Sequence, residues 1–155
     1  MAIPVDKTER QPHMGEAALA LGQDDVKRLM AQPLPSVRAL VAAKVAKYIE
    51  SPTLSEAGLA MAHDIIRTMA GDVEIVVRRS VAQSLRLSKH LPRDVAMKLA
   101  QDVEAVALPI LTDAIVFTDE DLVELLQKNS EVKQKAIAMR PNLSETVSDA
   151  VITVA

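Results

Sequence analysis

Apolar positions recur at helical spacing through most of the chain, and the clearest case is the stretch Asp72 to Leu85. Advancing about 100° per residue puts Val77, Val81, Ala82 and Leu85 on one face, with Arg78 in the middle of that face and Arg79, Gln83 and Arg86 to its side. Asp72 precedes the stripe as an N-cap whose carboxylate takes up orphan amides, and Glu74 sits where a negative charge favours the helix start. An arginine inside an apolar stripe is costly unless paired. Arg78 is therefore expected to meet a carboxylate or backbone carbonyls, with Asp72, Asp94 and Asp102 as candidates. The alternative is that it snorkels to solvent.

The same pattern predicts a succession of helices. Residues 1–14 carry Pro4, Pro12 and scattered charges with no apolar period, and read as a mobile tail. Short helices are expected over 15–22 and 24–30. Ser36 is expected to cap a helix from Val37 to about Glu50, in which Arg38 sits among Val37, Val41, Ala42 and Val45 as Arg78 does among its neighbours. Ser55 caps Glu56 to about Met69, and Gly71 closes it in a left-handed conformation. The central helix runs to about Ser88. Pro92 or Arg93 opens the next, to Gln101. Asp102-Val103-Glu104-Ala105-Val106 then repeats Asp72-Val73-Glu74-Ile75-Val76, with Ala107 in place of the arginine and Pro109 expected to kink the helix. Thr118 opens a further helix, with Asp121 three residues on as in a capping box. Asn129-Ser130-Glu131 starts another, where Lys133 stands in for the arginine and Pro141 ends the run. Leu143-Ser144-Glu145 opens the last. That helix reaches the end of the chain with no stop signal, as a piece of a longer protein would.

Helix, turn, helix thus recurs four times, with periods of about 40, 30 and 27 residues. No pair buries its apolar face alone, and stacking the pairs does so. The predicted organisation is a tail over 1–14 and a single α-helical repeat domain over 15–155. An up-down bundle, the other all-α solution, requires no recurring Val-Arg start.

Composition supports closely stacked helices. Among 155 residues there are one Tyr, one Phe and no Trp, so Ala, Val, Leu, Ile and Met must fill the core. The methionines 61, 69, 97 and 139 read as core filler. Cysteine is absent, which removes disulfides, thiolate nucleophiles and cysteine metal sites. No apolar run is long enough for a membrane span and no signal-peptide core is present, so a cytoplasmic location is expected. The net charge of −3 is uneven. Residues 71–101 hold 6 basic and 3 acidic side chains, and residues 102–155 hold 4 and 10. Such polarity suits a partner surface or head-to-tail self-association.

Asp72 to Ala82, read as D-x-E-x-x-V-R-x-x-V-A, resembles HEAT-like repeats, whose first helix carries this arginine. Leu91-Pro92-Arg93-Asp94, Leu99-Ala100-Gln101-Asp102, Val106 to Leu111, Thr118 to Leu122 and Ala136 to Arg140 resemble a bacterial domain family of unknown function built on HEAT-like helices. The resemblance runs from about Ser36 to Ala155. It implies an α-α superhelix that serves as an interaction module, in signalling among other settings, and it brings no catalytic residues. Ala107 and Pro109 depart from the pattern.

Candidate chemistry is sparse. His13, His63 and His90 lack ligand-type spacing, and no phosphate loop, nucleophile elbow or calcium loop occurs. No metal, cofactor or catalytic group is expected. The expected function is a non-enzymatic protein-binding scaffold. Its structural residues are Arg38, Arg78, Asp72 and Asp102, and its partner surface on the second helices includes Arg93, Lys98, Glu120 and Glu124. The alternative is nucleic-acid backbone binding through Arg79, Arg86, Lys89, Arg93 and Lys98. The near-absence of aromatic stacking residues and a pI of about 5.6 weigh against it.

Overall fold

The computed structural model describes residues 31 and 33–154 of the chain. The expected tail at 1–14 and the short helices at 15–22 and 24–30 lie outside them. Among the described residues there are eight helices and no strand: α1 (Pro35–Tyr48), α2 (Glu56–Met69), α3 (Ile75–Leu85), α4 (Arg93–Ala100), α5 (Glu104–Asp113), α6 (Asp119–Lys128), α7 (Glu131–Ala138) and α8 (Glu145–Val154).

The packing is serial. α1 lies against α3, α3 against α5, and α5 against α7. The intervening helices cover this row. α2 packs on α1 and α3, α4 on α5, and α6 on α7, while α8 packs chiefly on α6. The core therefore runs the length of the row: Val45, Ile49, Ile65, Ile66 and Met69 at one end, then Val77, Val81, Leu85, Val95 and Leu99, then Ile110, Leu111, Leu125, Leu126 and Ile137. Small residues let the first helices approach closely: the Ser80 hydroxyl donates to the carbonyl of Ala39 on the neighbouring helix at 2.6 Å. Tyr48 and Phe117 are only partly buried, so aliphatic residues and Met69 form the centre, as the composition requires. Met61 and Met97 border the core, whereas Met139 is 79% exposed and fills nothing.

Several expected helix signals act differently. Ser36 is not a cap. α1 begins one residue earlier at Pro35, whose fixed φ and missing amide suit the first turn, and Leu34 is the N-cap residue with no side-chain bond. Asp72 is not the N-cap of α3 either. Glu74 holds that place, and Asp72 lies two residues upstream, where its Oδ1 accepts from the Glu74 amide at 2.9 Å. Gly71 does not terminate α2 in a left-handed turn. The helix ends at Met69 with Ala70 in ordinary helical conformation, and no described glycine has positive φ. At Pro109, the expected site of a kink, α5 continues through to Asp113. Ser55 and Thr118 do cap as expected, and Ser130 caps α7. Ser55 accepts from Gly58, and Ser130 from Lys133. Thr118 and Asp121 form a complete reciprocal capping box. Gly58 also answers to a close approach, because a Cβ there would stand 2.8 Å from Leu54 Cδ1.

Candidate functional site

The N-cap residues of α1, α3, α5 and α7 are Leu34, Glu74, Val103 and Ser130, and they put these four helices in register. Four residues past each stand Arg38, Arg78, Ala107 and Gln134. Three past each stand Val37, Val77, Val106 and Lys133. Lys133 therefore occupies the valine position, and Gln134 occupies that of the arginine.

Each arginine reaches forward to the acid that precedes the next first helix. Arg38 donates through Nε and Nη2 to Asp72 at 2.8 and 3.0 Å, with both side chains largely buried. Arg78 does the same to Asp102 at 2.6 and 3.0 Å, and its Nη1 donates back to the Asp72 carbonyl at 2.8 Å. Asp94, the third candidate for Arg78, pairs instead with Arg67. The next rung lacks both of its ends, since Ala107 replaces the arginine and Asn129 the aspartate. Lys133 takes over by reaching backward. Its buried ammonium donates to the carbonyls of Ala100 and Asp102 and to Asn129 Oδ1. The result is one continuous polar line, Arg38–Asp72–Arg78–Asp102–Lys133, through all four helix pairs.

The electrostatics follow the geometry. The Arg38 guanidinium, with the Glu74 amide and the charge of Arg78, holds the Asp72 carboxyl below its ordinary value against the opposing effect of burial. Burial pushes the Asp102 carboxyl up, but the Arg78 bonds, the Val103 amide and the charges of Arg78 and Lys133 together outweigh it and leave it lowered. Burial pulls Lys133 down, with Asp102 and Glu104 opposing.

A second set of pairs flanks this line and was not anticipated. Arg67 of α2 holds Asp94 of α4, Arg93 of α4 holds Asp121 of α6, and Arg86 after α3 holds Asp113 of α5. Their separations of 27, 28 and 27 residues fall on the repeat period, and that recurrence was the available sequence signal. Arg140 closes the C-terminal turn of α5 by donating to the carbonyls of Leu111 and Ala114, and its guanidinium lies 5.8 Å from the Phe117 ring centroid. The Arg93 guanidinium, then the Thr118 amide and hydroxyl, bring the buried Asp121 carboxyl to about 2.

The expected partner-surface residues divide. Glu120 and Glu124 line an open groove of about 390 Å³ with Asp119, Val123 and Gln127 of α6 and Thr146 of α8. Arg93 lies within electrostatic reach of both glutamates while bonded to Asp121. Glu124 also accepts from Lys128 at 2.8 Å. Lys98 is elsewhere, its Nζ 2.8 Å from where a Cβ on Gly71 would be. Of the basic residues from 79 to 98, Arg86 and Arg93 are spent on aspartates. His63 Nε2 lies 3.1 Å from the His90 carbonyl. Among the described residues no group of three His, Cys, Asp or Glu side chains is arranged to hold a metal ion, and no helix is long and apolar enough to cross a membrane.

No curated protein and no solved structure matches the chain. Residues 106–155, which comprise α6, α7, α8 and most of α5, match a family described as "Uncharacterised protein conserved in bacteria (DUF2336)".

Proposed function

We propose that the chain is a non-enzymatic protein-binding scaffold of the bacterial cytoplasm, with its helix pairs arranged as a HEAT-like α-α superhelix and a role in signalling. The observation that carries this reading is the division of labour among the charges. Buried aspartates and cations are committed to joining one helix pair to the next, while Asp119, Glu120 and Glu124 stand free of that line along an open groove. A serial stack of helix pairs offers an extended surface to an extended partner. An acidic groove suits a protein or peptide with a basic end, seated over Glu120 and Glu124, with Arg93 and Lys98 on the basic side of the same series of helices. Nucleic-acid binding through residues 79–98 is the competing reading. It is weakened by the engagement of Arg86 and Arg93 with Asp113 and Asp121.

The test begins with affinity capture of a partner from the native cell and measurement of its association rate over a salt series. Rim charges act mainly on encounter, so the double reversal Glu120→Lys, Glu124→Lys is expected to slow association about tenfold and flatten its salt dependence. An association rate indifferent to the double reversal rejects the acidic groove. A salt-dependent mobility shift with nucleic acid, lost on neutralising Arg79 and Lys89, supports the competing reading.

A further inference from the structure

The joints along the row α1–α3–α5–α7 are not built alike. α3 is tied to α5 by an ion pair at each end: Arg78 to Asp102 where the two helices start, and Arg86 to Asp113 where they finish. α7 is tied to α5 by a cation at each end and by no carboxylate. At the start, the Lys133 ammonium donates to the carbonyls of Ala100 and Asp102, at the end of α4 and in the turn before α5, and to Asn129 Oδ1. At the finish, the Arg140 guanidinium donates to the carbonyls of Leu111 and Ala114.

Both cations enter this seam without a bonded counter-charge. Asp102 acts on Lys133 only through space, because its carboxylate is taken by Arg78. Asp113 acts on Arg140 in the same way while bonded to Arg86. Burial pulls the basicity of Lys133 and of Arg140 down, as it does wherever a charge leaves water for neutral partners. Little else holds the two sides together. α6 packs on α7, and α8 packs chiefly on α6, so these three helices meet α1 to α5 mainly along the seam of α5 and α7. Among the described residues, the one ion pair that crosses between the two groups is that of Arg93 with Asp121, and its arginine is 57% exposed. The connecting residues 114–118 form no helix.

We propose that the α5–α7 seam is a conformational joint built into the fold, at which α6, α7 and α8 swing away from α1–α5 as one unit about residues 114–118. Opening here returns two buried cations to water and separates no buried pair of cation and carboxylate other than the half-exposed pair of Arg93. At α1–α3 and α3–α5 the same motion would part Arg38 from Asp72 or Arg78 from Asp102, with both partners largely buried, which costs more. One residue marks the difference in the sequence. The position just before the N-cap is Asp102 ahead of α5 and Asn129 ahead of α7.

Native-state hydrogen exchange of the full chain over a series of low urea concentrations tests this. Amides of α6, α7 and α8 are expected to exchange about tenfold faster than those of α3, or more, through one shared opening with a small dependence on urea. Asn129→Asp supplies the missing carboxylate, since Asn129 Oδ1 already lies 3.3 Å from the Lys133 ammonium. It also gives up the bond from Asn129 Nδ2 to the Leu125 carbonyl. Lys133→Met removes the cation, and the loss of the Nδ2 bond is common to both backgrounds. Asn129→Asp is therefore expected to protect α6 to α8 about tenfold more when Lys133 is present than when it is replaced. Lys133→Gln takes the place of Lys133→Met if circular dichroism shows that the latter loses helix. Exchange of all described helices through a single global opening overturns the proposal, as does fraying of α8 alone with α6 and α7 protected like α3. So does an Asn129→Asp effect that is equal in the two backgrounds, because the missing carboxylate would then not be what leaves this joint weak.

Discussion

At the level of single residues, an arginine here is worth what its surroundings make it. Arg78 and Asp102 are both mostly withdrawn from water, and each satisfies several partners at once. Arg78→Ala leaves the Asp102 carboxylate and the Asp72 carbonyl short of donors, and is expected to cost about 3 kcal/mol, the lower end for breaking a buried pair. Arg67 and Asp94 form a bond of similar geometry, but nearly half of the arginine and most of the aspartate stay in solvent. Arg67→Ala should fall within about 0.5 kcal/mol of the parent. Urea unfolding of the two variants side by side checks the contrast, and equal losses would mean burial does not set the strength of these pairs. Asp121 adds a pH signature. Its carboxyl lies at about 2 against an ordinary 3.8. Between those values the unfolded chain binds more protons than the folded one, so stability is present above the upper value and falls as pH drops through the window. Asp121→Asn is expected to be less stable at neutral pH and to lose less stability between the two values. A stability profile parallel to that of the unaltered chain throughout that window would show that the Arg93 pair does not hold the carboxyl down.

At the level of elements, the caps divide into those that bond and those that only look as if they do. Thr118→Ala removes the hydroxyl half of the capping box of α6, the bond that Oγ1 accepts from the Asp121 amide, and keeps the Thr118 amide that donates to the Asp121 carboxylate; it should cost about 1 kcal/mol. Ser36 lies inside the first turn of α1, exposed, so Ser36→Ala should be near neutral. Thermal melts of the two variants decide it. These cases show what the sequence makes legible. All eight helices from residue 35 onward were expected, because the apolar period of about 3.6 is set by burial and survives errors at the ends. Ends were less legible, because a Ser or Asp within two residues of a helix start can cap, bond in a turn, or sit in the first turn, and only the backbone decides which. Asp72 shows this: it is misplaced by two residues as a cap, and its carboxylate accepts from Arg38 and from the Glu74 amide instead. Arg38 and Arg78 were readable because a charge inside an apolar stripe demands a partner. Arg67, Arg93 and Arg86 lie on polar flanks where a charge demands nothing, so only their spacing of nearly one repeat to an aspartate marked them. Lys133 was expected in the arginine position and stands one residue earlier, because the register follows the N-cap rather than the nearest cation.

At the scale of the whole molecule, the stacked arrangement proposed above makes stability a sum of helix pairs and the joints between them. Such a chain need not open all at once. Its weakest joint sets where it parts, and the polar line shows where that joint can be made. The Asp102 side chain takes the forward reach of Arg78, and its carbonyl takes the backward reach of Lys133. The turn at Asp102 is therefore where the first two helix pairs meet the last two. Asp102→Ala removes the carboxylate but keeps the carbonyl, so the Arg78 joint is lost while the Lys133 contact remains possible. A joint weakened by about 3 kcal/mol raises local opening about 100-fold. Hydrogen exchange is expected to quicken by that order in α5 to α8, which match the bacterial family over residues 106–155, and to change less in α1 and α2, which keep the Arg38–Asp72 pair. An even increase over all eight helices would mean that the chain unfolds as one cooperative unit and that the polar line does not divide it.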